Sequence, residues 1–317
     1  MTSKEIINKR YALSDSLLRK CKSQFKVYFK EIYDEITLMY SMVDKRDKEL
    51  SEEANPIIKR YAENKIKEWK DKGIVIGYFK LFLSKLKRYT YANVLELLTY
   101  GIYYSKLKPI DEYSNECFKQ VANNANDQAR EELKIKKSKW KSLTDRNIFD
   151  MLYLANVNKT FLEYLELIFV ESIRKTYTEI INEKSQNKDL DNGVLNDLLS
   201  KQLKRIVNIN DSDKVVKHSG LIDDMFCNLV NQGYLFNLKE NENAKVEFIA
   251  DVDERTTEMC LSLNGQEFYV NKENEFFRYS DSAGGVVRVK CNGLVTGVNL
   301  PPITDHYHYC RSSIIYK

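Results

Sequence analysis

Apolar positions recur at helical spacing along the first three quarters of the chain and alternate along the last quarter. Ile6, Leu13, Leu17, Cys21, Phe25, Tyr28, Ile32, Ile36 and Met39 follow one another at steps of three, four or seven. Such steps stack side chains on one helical face, so residues 4–48 predict one long amphipathic helix. Pro56 stands at the start of a second helix, where its missing N–H costs nothing, and Gly73 ends that helix. Residues 75–107 are apolar and aromatic; they predict one or two central helices that Pro109 terminates. A charged helix is expected over 111–139. Thr144 predicts an N-cap, and 158–184 and 194–207 read as helices. A last helix over 213–232 is capped by Asn210 or Asp211 and closed by Gly233.

Past Tyr234 the period changes to two. Residues 246–252, VEFIADV, read as a strand. CLSL and QEFYV flank Asn264-Gly265, and VVRVKC and LVTGV flank Asn292-Gly293. Asn-Gly between alternating runs signals a tight hairpin, because both central residues of a type I′ turn need positive φ. Two hairpins are therefore expected, with SSIIY as a closing strand. The fold class is α+β: a mostly α-helical body over 1–240 and a small C-terminal antiparallel β-hairpin domain over 241–317.

Composition narrows the chemistry. Only 4 prolines and 11 glycines in 317 residues permit long helices. Fifty basic residues against 46 acidic ones leave a net charge of +4, too balanced to announce a nucleic-acid binder. The 21 tyrosines suit interfaces and cores alike. The N-terminal segment has no apolar run of the secretory kind. The most apolar stretch, Gly73 to Ser105, is broken by Lys80, Lys85, Lys87, Arg88 and Glu96, so no membrane span is expected. In a cytosol-like setting the six cysteines read as thiols or metal ligands. Lys134, Lys136, Lys137, Lys139 and Lys141 cluster around Trp140. Flanking acids favour a solvated helix end there; a DNA-facing patch is the sharper reading. His218 stands alone, and no nucleophile or phosphate loop accompanies the carboxylates, so no enzyme is expected.

Cys260, Cys291, His306, His308 and Cys310 gather in the last fifth of the chain. Thiolate and imidazole are the donors zinc prefers, and a small β domain gains stability from a metal staple. Buried thiols and hydrogen-bonded histidines without metal are the alternative.

The stretches FIADVDERTTEMCLSLNGQEFYV (248–270) and NLPPITDHYHYCRSSIIY (299–316) resemble the C-terminal signature of the phage Mu F-like minor head protein family. Ala250, Asp253, Arg255, Thr256, Cys260, Leu263, Gly265, Phe268, Pro301, Pro302, Cys310 and Arg311 match that signature in order. The resemblance covers about the last 70 residues. It implies a minor capsid protein of a tailed phage. Such a protein is held in the capsid interior near the portal protein and the major capsid or scaffold protein. It acts in head assembly, with DNA packaging or ejection as a further role and packaged DNA as a weak partner. Asp253, Arg255, Thr256, Gly265, Pro301, Pro302 and Arg311 are then structural motif residues. Thr257 stands where the signature has its first Cys, and Asp305-His306-Tyr307-His308-Tyr309-Cys310 replaces a His-Pro-x-Cys unit. With Cys291 supplying the missing thiolate, the implied structural zinc set is Cys260, Cys291, His308 and Cys310. The alternatives are a DNA-binding virion protein and a metal-dependent nuclease or toxin-type enzyme on a phage-head module. Lys317 follows Arg311 by six residues, which argues against an appended effector domain.

Overall fold

Helix-favouring patterns become helices wherever an apolar face finds a partner, and the punctuation of the sequence is kept only where packing allows. The computed structural model describes residues 3–43, 49–74, 89–152, 159–186, 188–207, 221–238, 245–250, 252, 258–269, 276–280, 286–290 and 313–317. Among these the helices are α1 (Ser3–Ser41), α2 (Pro56–Asp71), α3 (Tyr91–Glu132), α4 (Asp145–Met151), α5 (Phe161–Ser185), α6 (Asn192–Ile206), α7 (Leu221–Leu235) and α8 (Glu258–Leu263). The strands are β1 (Lys245–Ile249), β2 (Glu267–Tyr269), β3 (Phe276–Ser280), β4 (Val286–Lys290) and β5 (Ser313–Tyr316). The chain is mostly helical, with small antiparallel sheets near its C-terminus, as the α+β reading expects. The expected boundary at 240/241 lies outside the described residues.

Contacts divide the chain into two compact units. The first comprises Met1–Lys22, Ser114–Phe161 and Val207–Lys317; the second comprises Ser23–Tyr113 and Leu162–Ile206.

In the first unit, α1 buries Ile7, Tyr11, Leu17 and Cys21, while Leu13 of the expected stripe is 38% exposed. The true stripe passes through Arg10 and Ser14, both buried, so the polar residues there concealed its direction. Gly233 does not close α7 as expected; it lies inside the helix. A Cβ at this position would come within 2.6 Å of the Ala122 carbonyl oxygen on α3. Glycine is there for close helix approach, and its loss of helix propensity is outweighed by packing. Thr144 caps α4 as expected. Its Oγ1 accepts the Asn147 N–H, and the Asn147 side chain accepts the Thr144 N–H.

β1 is the centre of a three-stranded antiparallel sheet in the order β2-β1-β5. Val246 faces Phe268 on one side and Tyr316 on the other. The hairpin expected around Asn264-Gly265 is not formed: CLSL belongs to α8, and β2 pairs with β1. A type I′ turn would need positive φ at both Asn264 and Gly265, and only Gly265 has it, at 83°. Gly265 instead ends the helix in the left-handed conformation that L side chains resist. β4 pairs with β3 in a two-stranded hairpin, Phe276 opposite Lys290. Residues 291–298, the other half of the second expected hairpin, lie outside the described residues.

In the second unit, α2 starts at Pro56 as expected. Asn55 Oδ1 accepts the N–H groups of Ile57 and Ile58. α3 runs through Pro109, contrary to the expected stop. A proline here removes one helical hydrogen bond, to the carbonyl of Ser105, and crowds that carbonyl. Leu107 and Ile110 are buried beside Ile102, so one apolar face continues across the break and keeps the helix together. α5 contributes Phe169, whose ring meets Phe29 and Tyr103 edge-on at centroid distances of 6.1 and 5.7 Å. The buried Tyr103 hydroxyl shares a 2.8 Å hydrogen bond with Thr176.

Candidate functional site

Of the motif residues, Ala250 follows β1 directly, and Gly265 and Phe268 lie against it, in the first unit. The strand holds its place by alternate burial: Val246 and Phe248 are buried, and Glu247 is intermediate. Beyond the pairing with β2, the Phe248 carbonyl accepts the Gly265 N–H at 2.8 Å, and the Phe248 N–H donates to Gln266 at 2.9 Å. Asn264 Oδ1 accepts the Ala250 N–H at 2.9 Å. The Asn-Gly pair therefore fastens the end of α8 to the end of β1. On the opposite edge the Lys317 N–H donates to the Lys245 carbonyl at 2.9 Å. Lys245–Glu267 and Lys317–Glu247 ion pairs cross the sheet face.

Beside this sheet, in the same unit, lies a polar cluster that sequence reasoning missed. Arg10 is 2% exposed. Its Nη2 reaches both oxygens of Glu132 at 3.1 Å. Its guanidinium lies 3.7 Å from the centroid of the Tyr234 ring. The Tyr234 hydroxyl donates to Glu132 at 2.5 Å and accepts the Tyr316 N–H at 3.4 Å. Burial first, then the Glu132 carboxylate, raises the Tyr234 pKa, against the lowering effect of Arg10. The phenol thus stays protonated and acts as donor. The cluster joins α1, α3 and α7 to the last strand. Its sequence signal was slight: one arginine on an apolar stripe.

A second cluster fixes the segment after α3. Asn126, 3% exposed, takes the Trp140 indole N–H on both its carbonyl and its Oδ1, each at 3.1 Å. Its Nδ2 donates to the Lys141 carbonyl at 3.0 Å. Asn237 donates to Asn126 Oδ1 at 2.8 Å and accepts the Lys141 N–H at 3.0 Å.

Cys21, Cys117 and Cys227 are buried thiols outside any disulfide. A hydrogen bond with Cys117 and burial push the Cys21 thiol up, away from the reactive thiolate. In the second unit a cavity of about 240 Å³ is lined in part by Trp69, Ser105, Pro109, Lys65, Lys106 and Glu35. Its charges are matched internally: Lys65 lies 3.2 Å and Lys106 3.6 Å from Glu35.

Of the expected zinc donors, Cys260 is in α8. Cys291, His308 and Cys310 lie outside the described residues. So do Asp253, Arg255, Thr256, Pro301, Pro302 and Arg311 of the motif, and His218. Gly265 follows α8 at φ 83°. Among the described residues no group of three or more His, Cys, Asp or Glu side chains is arranged to hold a metal ion. No helix among them is long and apolar enough to cross a membrane. The chain matches no protein-family model, no curated protein and no solved structure.

Proposed function

We propose that the chain is a minor head protein of a tailed bacteriophage, held in the capsid interior against the portal protein and acting in head assembly. The observation that carries this reading is the ordered run of twelve signature positions from Ala250 to Arg311. In the described part of that run Gly265 has positive φ, and the segments bearing Phe268 and following Arg311 are strands on either side of β1, while the end of α8 stands where the signature implies the first arm of a hairpin. In this role the C-terminal sheet is a docking module, tied to the helices through Tyr234 and Tyr316.

Under the same proposal Cys260, Cys291, His308 and Cys310 hold one structural zinc ion. Three thiolates and an imidazole make a tetrahedral donor set, and such a site adds folding energy outright. Elemental analysis of untagged protein should find about one zinc per chain, lost in Cys260→Ser and Cys310→Ser with a fall in Tm. Metal-free protein of unchanged Tm would remove the zinc and leave the head-protein reading standing.

The function is tested on particles. Mass spectrometry of purified heads from a lysate of the host bearing this gene should find the chain at low copy, and deleting the gene should yield defective heads. Heads that lack the chain, with assembly unchanged by the deletion, would overturn the proposal.

A further inference from the structure

The segment from Leu133 to Leu143 reads LKIKKSKWKSL, five lysines and no acid in eleven residues. The acids that flank it in sequence look sufficient to neutralise it, but other cations occupy them. Glu132 is bound by Arg10 at 3.1 Å. Asp127 and Glu131 are taken by Arg130 at 3.5 and 3.6 Å. Asp145 is held by Lys119 at 3.0 Å and Asp150 by Arg146 at 3.0 Å. Lys134, Lys136, Lys137, Lys139 and Lys141 are all exposed. The first four of these make no ion pair with any described residue.

The backbone that carries these charges is held in one shape. α3 ends in two capping bonds, Ile135 N–H to the Arg130 carbonyl and Lys134 N–H to the Glu131 carbonyl, both at 3.1 Å. This pattern requires a left-handed residue at position 134, which is normally glycine. Lys134 takes it with φ 53°, the one described non-glycine residue at positive φ. A short 3-10 turn over Lys137–Lys139 follows, and the Asn126–Asn237 network clamps Trp140 and Lys141. A charged loop that is already ordered loses little entropy on binding. A backbone position where glycine would be cheaper is occupied by a cation, an outlier of the kind that marks function.

We infer that residues 134–141 form a binding surface for the phosphodiester backbone of nucleic acid, with the half-buried Trp140 between Lys139 and Lys141. Lysines supply sequence-independent phosphate contact, and an aromatic among them suits an unpaired base. The inference stands on charge and geometry and is independent of the head-protein reading.

The test measures fluorescence anisotropy of the full chain with a labelled 30-base-pair duplex and a labelled 30-nucleotide single strand, from 50 to 200 mM salt. Wild type should bind at least one of them, and log K should fall with log salt at a slope of roughly −3 to −4 on duplex. The variant K134Q/K136Q/K137Q/K139Q should lose affinity by roughly ten-fold or more at low salt, with unchanged Tm. A charge-matched control, K67Q/K70Q/K201Q/K204Q, should keep wild-type affinity. Lys134→Gly should hold or raise Tm while lowering the salt slope by about 1, which a merely structural lysine would not do. The inference is overturned by no binding to either probe, by equal losses in patch variant and control, or by binding to phosphatidylglycerol vesicles alone.

Discussion

Two helices of this chain end in the same way with different residues. At the end of α2, Ile74 donates to the Trp69 carbonyl at 2.8 Å and Gly73 donates to Lys70 at 3.0 Å, with Gly73 at φ 66°. At the end of α3, Ile135 and Lys134 make the corresponding bonds with Lys134 at φ 53°. The paired bonds from the left-handed residue and its successor satisfy two of the carbonyls a helix end leaves open. Glycine adopts the left-handed conformation freely; lysine does so at a cost of about 1 kcal/mol. The sequence around α2 thus follows the rule for stopping a helix. The sequence around α3 breaks that rule, and the cost is offset by what surrounds it. α3 delivers Glu132 to Arg10 and Tyr234, and Asn126 to Trp140 and Asn237.

The largest expected effect comes from removing that support. Glu132→Ala leaves the Arg10 guanidinium, 2% exposed, without its carboxylate. Breaking a buried pair from one side costs about 3 to 5 kcal/mol, and Glu132 is itself partly hydrated, so a loss of about 3 kcal/mol is expected in urea denaturation. A loss below about 1 kcal/mol would show that the cluster is not what steadies the end of α3. Next comes Asn126→Ala. It removes Oδ1, one of two acceptors of the Trp140 indole and one of two of Asn237, together with the Nδ2 bond to the Lys141 carbonyl, and should cost about 1 to 2 kcal/mol, with red-shifted Trp140 emission as the loop loosens. Trp69 is the other tryptophan, so Trp69→Phe serves as the background for this reading.

The same contrast marks what was legible in the sequence. Local punctuation was honoured where a residue acts on its own backbone. Pro56 and Gly73 bound α2, Thr144 starts α4, and the alternating VEFI run is β1. It failed where a residue serves a neighbour. Pro109 and Gly233 read as stops and lie inside helices, because packing across them outweighs the local penalty. Leu261 and Leu263 are spaced by two, as on one face of a strand, yet Leu263 is fully buried and Leu261 is 49% exposed, the different faces that a helix gives residues two apart. Of the site, only the lysine cluster could be placed from sequence. That Glu132 serves Arg10 and Asp145 serves Lys119 is a tertiary fact, whereas the Asp127–Arg130 and Asp150–Arg146 pairs follow from helical spacing.

The smallest effects test the comparison most directly, because they exchange its two terms. Gly73→Ala puts a Cβ where nothing lies within 4 Å, so the whole penalty is conformational. It should cost about 1 kcal/mol. Lys134→Gly is the mirror change and should return stability of similar size, less the extra freedom glycine gives the unfolded chain. Lys134→Asn separates the two contributions. Asparagine visits the left-handed region more readily than lysine and does not loosen the unfolded chain as glycine does. It should therefore gain a few tenths of a kcal/mol, measurable as a small rise in Tm against wild type. If neither Lys134 variant is more stable than wild type, the lysine stem must make packing contacts that offset its backbone strain. Its charge would then no longer be the reason a lysine stands where glycine is cheaper.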